Sequence, residues 1–418
     1  MKKKQFFILL IAGISVLAGC SNRQSGTQQS SSVSAPNQNS ETIESETAAS
    51  ETTESEAARS TIFQIAMQSE NQEYQDDAGK NTVLRDECTY AVVSGGAKEA
   101  ADLINRDLNE WRRTREQNVQ NLTSEAREMY QDADITDVIY TTGDTMYTTR
   151  NDGNVLSFRT LTSQYTGGAH GYFFYAGCNY NAKTGDKLSM DEIAGDGDTF
   201  RAKVKDYVLT LCQSEAFQYV LFDDYKDQLD DSLFGRDNWY FDSCGMVISV
   251  EPYAIGPYSS TTINFTIPYD DLMSYGLKQE YAYQGIWEQS IYNGTSVRTD
   301  LNGDGNEDEI HITKTDNEEG SLRVTVNGND ISNDIFAALS DPNTWLERDA
   351  IVLTDLDSGD QRKEITIAEH VYDENAAGST KEWDITHCFE VHEDNSVTYL
   401  GKIQGNVRYY IEDTKIQH

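Results

Sequence analysis

The sequence predicts an α+β fold: an antiparallel sheet with packed helices through the middle of the chain, then a small β-rich domain. Three observations predict it. Between Ala97 and Met129, apolar residues recur at helical spacing through Ala101, Leu103, Ile104, Leu108, Trp111, Val119, Leu122 and Ala126. The pattern returns over Thr199 to Tyr225 through Phe200, Val204, Tyr207, Val208, Leu211, Phe217 and Val220. Around these two stretches lie short runs of β formers bounded by glycine, asparagine and proline, and beyond about residue 284 the helical period gives way to such runs alone.

The first 60 residues are read as targeting and tether. Lys2, Lys3 and Lys4 precede an apolar run from Phe6 to Leu17, too short for a spanning helix of roughly 20 residues. Leu17-Ala18-Gly19-Cys20 is a lipobox, so residues 1–19 form a lipoprotein signal peptide and Cys20 carries the lipid. Residues 20–60 are rich in Ser, Thr, Gln and Glu with almost no large apolar side chains, which cannot offset the entropy of ordering a chain. The expected mature protein is extracytoplasmic, anchored to the membrane by lipid and lifted from it by a flexible leash.

Residues 61–283 are read as the α+β region. Strands are expected over Glu87–Val93, Asp137–Tyr147 and Val155–Leu161, with turns at Gly143 and at Asn151-Asp152-Gly153. The stretch that organises this region opens on Tyr165-Thr166-Gly167-Gly168-Ala169-His170-Gly171, where glycines permit positive φ. An aromatic strand, Tyr172–Tyr175, follows. A tight turn runs from Asn181 to Lys187 through Gly185, and Leu188, Met190 and Ile193 return the chain to a core. Further on, strands are expected over Trp239–Val250 and Thr261–Ile267, and a short helix over Tyr269–Tyr275 behind Pro268.

Y-T-G-G-A-H-G followed by N-Y-N-A-K-T-G-D-K-L resembles the extracellular domain of the RsiV anti-sigma factors, which is also the accessory domain of the peptidoglycan deacetylase PdaC. The likeness continues through Trp239, Glu251-Pro252-Tyr253-Ala254-Ile255-Gly256-Pro257 and Ile267-Pro268-Tyr269, roughly residues 80 to 280. The motif residues Tyr165, Gly167, Gly168, His170, Gly171 and Gly185 are read as structural. The resemblance implies a module that binds or senses at the cell wall, and in that family the domain binds lysozyme, a basic protein. This sequence shows neither the family's membrane span nor its sigma-binding segment. Phe222-Asp223-Asp224 looks like the T-F-D-D-G-P motif of polysaccharide deacetylases, but Tyr225 stands where that motif has glycine and no H-x-x-x-H pair is present.

Residues 284–418 hold two acidic loops. In the first, Asp300, Asn302, Asp304, Asn306 and Asp308 place oxygens at alternate positions with Gly305 turning the chain, as calcium requires. Its flanks read as strands, and His311 stands where an EF-hand needs glutamate, so the loop resembles the calcium hairpins of integrin-type repeats. The second loop repeats the opening through Asp355, Asp357 and Asp360. Lys363 or, with an insertion, Glu364 stands opposite the first loop's Asp308. Calcium is the one cofactor expected. Strands are expected over Glu309–Thr313, Leu322–Val326, Ile351–Thr354, Glu364–Glu369 and Ser396–Leu400.

Lysines and arginines number 33 against 70 acids, a formal net charge of −37. Phosphate backbones need clustered cations, so nucleic acid is not expected as a partner; the charge is read first as solubility outside the cell, and in a sharper reading as attraction for a cationic protein or for calcium. Five cysteines follow Cys20 (Cys88, Cys178, Cys212, Cys244, Cys388), and none has C-x-x-C spacing, which argues against a zinc or redox site and leaves any pairing open. No G-x-S-x-G, H-E-x-x-H or P-loop pattern occurs. The reading is a surface-anchored, non-catalytic binding or sensing lipoprotein that takes lysozyme-like proteins or peptidoglycan. A wall-polysaccharide hydrolase or deacetylase and a calcium-stabilised adhesin are the alternatives.

Overall fold

The computed structural model describes residues 62–132, 138–314, 322–339, 351–357, 359–374 and 380–405. Its first layer is a five-stranded sheet in the order β1 (Phe63–Gln75), β2 (Thr82–Gly95), β3 (Tyr140–Asn151), β4 (Val155–Tyr165) and β5 (Tyr172–Asn181). Neighbours are antiparallel except β2 and β3, which run parallel because the helix α1 (Lys98–Asp132) carries the chain back across the sheet. The helical stripe read from the sequence is the face that docks. Ala100, Ala101, Ile104 and Leu108 pack with Phe63, Val93, Leu156 and Phe158, and Val119 and Ala126 pack with Val83, Leu84 and Tyr140. Polar residues also tie helix to sheet: Asn105 bonds the Val93 amide and carbonyl at 2.9 and 2.7 Å, and the buried Arg115 side chain reaches Asp144 on β3 at 2.6 Å and pairs with Asp86 on β2.

The second layer gathers α2 (Gly197–Leu211), α3 (Tyr225–Phe234), a three-stranded antiparallel sheet of β6 (Trp239–Phe241), β7 (Gly245–Val250) and β8 (Ile263–Pro268), and α4 (Tyr269–Tyr275). Its core joins Phe200, Val204, Val208 and Leu211 of α2 to Leu229 and Leu233 of α3 and to the strands, with Leu188, Met190 and Ile193 entering as the sequence implies. The single helix expected over Thr199–Tyr225 is helical only as far as Leu211, and α3 starts where it was expected to end. Asp196 caps α2 by accepting from the Thr199 amide; the helix stops at Leu211, and a short 3-10 turn, Glu215–Phe217, intervenes before α3. The strand expected over Trp239–Val250 is a hairpin, because Asp242 accepts the Cys244 and Gly245 amides and turns the chain. Gly143, expected in a turn, lies inside β3.

The remaining strands form two sheets over one core. One runs β17 (Val397–Gln404), β16 (Thr380–Val391), β15 (Glu364–Glu374), β14 (Ile351–Thr354), β9 (Glu288–Ile291). The other runs β10 (Thr295–Thr299), β11 (Asp308–Lys314), β12 (Leu322–Val326), β13 (Asn329–Asp330). Ile291, Leu353, Ile365, Ile367 and Phe389 of the first meet Val297, Ile310, Ile312 and Val324 of the second, with Ile335 of α5 (Ser332–Phe336) closing the side. The whole is α+β with largely antiparallel sheets and a β-rich C-terminal region.

Candidate functional site

Two motifs far apart in sequence meet at one surface. The β4–β5 connection turns through Gly167 (φ +92°) and Gly168 (φ +98°), a conformation that side chains with a Cβ resist, and the Tyr165 hydroxyl donates to the Gly168 carbonyl at 3.1 Å. This presents His170 to solvent. Its Nδ1 lies 3.0 Å from the Gly171 carbonyl, which can only accept, so Nδ1 carries the proton in the neutral ring. Nε2 then accepts from the Tyr253 hydroxyl at 3.1 Å. The imidazole stacks on Tyr258 with ring centroids 3.8 Å apart, and Phe173 meets the same tyrosine edge-on. A backbone-bonded corner histidine is the reading from sequence, and the structure adds the two tyrosines from the Glu251–Thr261 loop. Gly185 serves elsewhere: at φ +79° it packs so closely on the first turn of α1 that a Cβ would lie 2.5 Å from the Ala100 carbonyl.

The Glu251–Thr261 loop is held under backbone strain. Tyr253 has φ +71°, and Thr261 has φ +57° with ψ −151°, a region almost confined to glycine. Residues in such states persist where the surroundings over-determine them. Here the Tyr253 amide donates to Gly256 O at 3.0 Å, and the Phe222 amide donates to Ile255 O at 2.9 Å. The Ser260 hydroxyl donates to Val220 O at 2.9 Å, tying the Gln218–Asp224 segment to the loop. The result is a set of exposed aromatics on fixed backbone: Tyr219 at 87 %, Tyr253 at 53 %, with Tyr172 and Phe222 also in solvent. Glu251 sits beneath, paired with Arg236 at 2.6 Å and accepting the Tyr172 hydroxyl. Asp223 and Asp224 are exposed on the adjoining segment. Partial burial pushes the Glu251 carboxyl above its usual range.

His170 lies on an open aromatic shelf, its ring nitrogens engaged by the Gly171 carbonyl and the Tyr253 hydroxyl. Sequence reasoning singled out His170 and the E-P-Y-A-I-G-P-Y run separately. It missed Tyr219 and Phe222, for which only the density of large aromatics beside Asp223-Asp224 is a signal.

The acidic loops lie at the other end of the molecule's sequence, each in a β-hairpin. Thr299 pairs with Asp308 across the first and Thr354 with Glu364 across the second, so Glu364, with one residue inserted, holds the place of Asp308. Both acids do the same thing: Asp308 accepts the Leu301 amide at 3.0 Å and Glu364 accepts the Leu356 amide at 2.9 Å. Asp300 accepts the Gly303 and Gly305 amides, Asn302 that of Asp304, and Asp304 that of Asn306, each at 2.7–2.9 Å. Asp304 Oδ1 also takes the Asn306 side-chain amide at 3.0 Å, whereas each Asp300 oxygen and the Asn302 oxygen accept one amide apiece and keep a lone pair of the kind a hard cation takes. Asp308 also takes the Asn327 side-chain amide. In the second loop Asp357 and Asp360 accept the Gly359 and Arg362 amides, while Asp355 is paired with Lys363 at 3.0 Å. Among the described residues no three His, Cys, Asp or Glu side chains gather as for a metal ion. Cys20 lies outside the described residues.

The comparisons suggest a class, an extracellular accessory or binding domain. A family model described as "Deacetylase PdaC" matches residues 77–172, and one described as "Protein of unknown function (DUF3298)" matches residues 198–270. The first match includes His170 and the second includes Tyr253 and Tyr258, and neither brings a catalytic domain. Among solved structures, a DUF3298 family member from Bacteroides fragilis is similar at 20 % identity and TM-score 0.41, covering 53 % of this chain and 96 % of that one. A DUF3298 family protein from Pseudomonas aeruginosa is similar at 14 % identity and TM-score 0.38, covering 53 % and 98 %. No curated protein matches. Domains of these families are typical of extracellular or envelope proteins, and among the described residues no helix is long and apolar enough to cross a membrane.

Proposed function

We propose that the protein is a lipid-anchored, non-catalytic binding module of the cell envelope, and that the His170–Tyr253–Tyr258 shelf is its docking face for a basic protein of the lysozyme kind. The observation that carries this is Tyr253: an exposed aromatic held at φ +71° between a stacked histidine and a strained loop. A rigid tyrosine on a fixed loop presents contact area at low entropic cost, as binding hot spots do. The net charge of −37 favours a cationic partner and accelerates its approach. Anchoring through Cys20, the tether of residues 20–60 and division of the folded part near residue 283 belong to the same reading. So does a structural calcium ion at Asp300, Asn302, Asp304, Asn306 and Asp308.

The test is equilibrium binding of lysozyme at physiological salt beside a charge-matched basic control. Saturable binding above the control is expected, and Tyr253→Ala should weaken it by about 2 kcal/mol or more without changing the circular dichroism. Binding no stronger than the control's would remove the proposal.

A further inference from the structure

The five-stranded sheet ends on β1 at one side and on β5 at the other, and the two edges are guarded differently. An unpaired edge is a template for another strand, and proteins blunt it with charge, proline or a bulge. β1 carries Glu70 and Glu73 among polar residues exposed on both faces. β5 begins Tyr172-Phe173-Phe174-Tyr175-Ala176, with neither charge nor proline. Its register against β4 runs unbroken from Tyr172 to Asn181, so no bulge turns the edge away.

The second half of β5 shows which backbone groups face outward. The Gly177 amide donates to Asp237 O at 2.8 Å, Asn179 O accepts the Leu188 amide at 2.7 Å, and the Asn181 amide donates to Asp186 O at 2.9 Å. In an antiparallel strand the N–H and C=O of one residue point to the same edge, and those of its neighbours to the other. Odd-numbered residues of β5 therefore face outward, and even-numbered ones bond β4. By the same alternation the N–H and C=O of Phe173 and Tyr175 lie on the outer edge, where no backbone group among the described residues takes them. This bare stretch runs into the shelf: the Phe173 ring meets Tyr258 edge-on, and Tyr258 is the ring on which His170 stacks.

We propose that the open edge of β5 takes an extended segment of the basic partner protein as a sixth strand, with Phe173 and Tyr175 each forming a doubly hydrogen-bonded pair. The inference rests on the docking reading above and adds how the partner is held. Main-chain bonds of this kind give affinity with little demand on the partner's sequence, and the flanking aromatic side chains read its residues alternately. A second copy of this chain is the poorer occupant, because each copy carries a net charge of −37, whereas the same charge attracts a basic protein.

The experiment is amide hydrogen exchange on the full mature chain, read residue by residue, alone and with saturating lysozyme at physiological salt. In the free chain the Phe174 and Ala176 amides, bonded to β4, should exchange slowly and those of Phe173 and Tyr175 fast. Lysozyme should slow Phe173 and Tyr175 by about tenfold or more. Tyr175→Pro removes one outward N–H and leaves the ladder to β4 intact, as proline does on a strand edge. It should bind lysozyme about tenfold more weakly than Tyr175→Val, which loses the same ring but keeps the amide. Saturable binding that leaves both amides as fast as before would overturn the edge assignment while the shelf stands. No saturable binding would remove the shelf and this assignment together. Slowing that appears without lysozyme as the chain's own concentration rises would place a second copy on the edge, and would overturn the basic partner there.

Discussion

At the scale of single residues, Arg150 shows how this protein handles a charge it cannot solvate. Its side chain is wholly buried, 2.8 Å from Asp152, with the guanidinium also donating to the Tyr269 hydroxyl and the Ala282 carbonyl. Phe241, Tyr269 and Tyr283 surround it with ring centroids 5.3 Å away. Removing one member of such a set leaves the other charge buried and uncompensated. Arg150→Met should therefore cost about 3–5 kcal/mol in urea unfolding, and Asp152→Asn nearly as much. Lysine should rescue poorly, because a point charge cannot serve three rings and three acceptors at once. The described cysteines make a second residue-scale prediction. Burial pushes the Cys88 thiol up to about 11 and those of Cys178, Cys212 and Cys388 up to about 12, against an ordinary 9.0. Between pH 9 and about 11 the unfolded chain sheds thiol protons that the folded chain keeps. Stability is thus fully present below pH 9 and falls as the pH rises through that window. Melting temperature against pH checks the sign: a flat profile from pH 9 to 11 would contradict it.

At the scale of elements, the two acidic hairpins share one hydrogen-bonding plan, and the second adds a lysine. The backbone amide of Lys363 donates to Leu301 O at 3.0 Å, which sets the loops side by side, and its ammonium lies 5.2 Å over the Trp287 ring while pairing with Asp355. The second loop thus carries its positive charge within the chain, whereas the first does not. If calcium stabilises the protein, the gain of about 2.7 kcal/mol expected at a hundredfold excess over Kd should vanish in Asp304→Ala and survive in Asp357→Ala. Lys363→Met should destabilise by about 1–3 kcal/mol through the half-buried Asp355, with or without calcium. The hairpin setting of these loops was legible in the alternation of Glu309 to Thr313, as α1 was in its apolar stripe. β1 was not, because it is polar along most of its length: Gln64, Gln68, Glu70, Gln72 and Glu73 give no period when a strand is a sheet edge. The break between α2 and α3 was hidden because Phe217 and Val220 continue the helical spacing across it, although Phe217 is buried from a 3-10 turn. The aromatic shelf was only half legible. Its glycine corner can be read locally, but the stacking of His170 on Tyr258 joins residues with no sequence relation, and only tertiary packing supplies it.

At the scale of the whole molecule, the question is whether the C-terminal sandwich and the α+β region behave as one body. Consecutive residues answer it. Ile291 ends β9 and is buried in the sandwich core, while Tyr292 is buried in the core of the second layer. The Tyr292 hydroxyl accepts the Thr266 amide at 2.9 Å and donates to Asn264 O at 3.2 Å, and Asn293 O accepts the Ala216 amide at 3.0 Å. Upstream, Asp152 accepts the Gln284 amide and Asn154 donates to Ala282 O, so the crossing segment is pinned on both sides of β9. A linker with so many fixed contacts transmits unfolding from one core to the other, and calorimetry of the parent protein should show one cooperative transition. Tyr292→Ala removes the ring that fills one core and both of its hydroxyl bonds. It should cost about 3–5 kcal/mol and split the endotherm in two, leaving the sandwich to melt alone. Calcium then becomes diagnostic: it should raise the single transition of the parent, but only the sandwich transition of Tyr292→Ala. Two transitions already present in the parent would show that the pinned segment does not couple the cores.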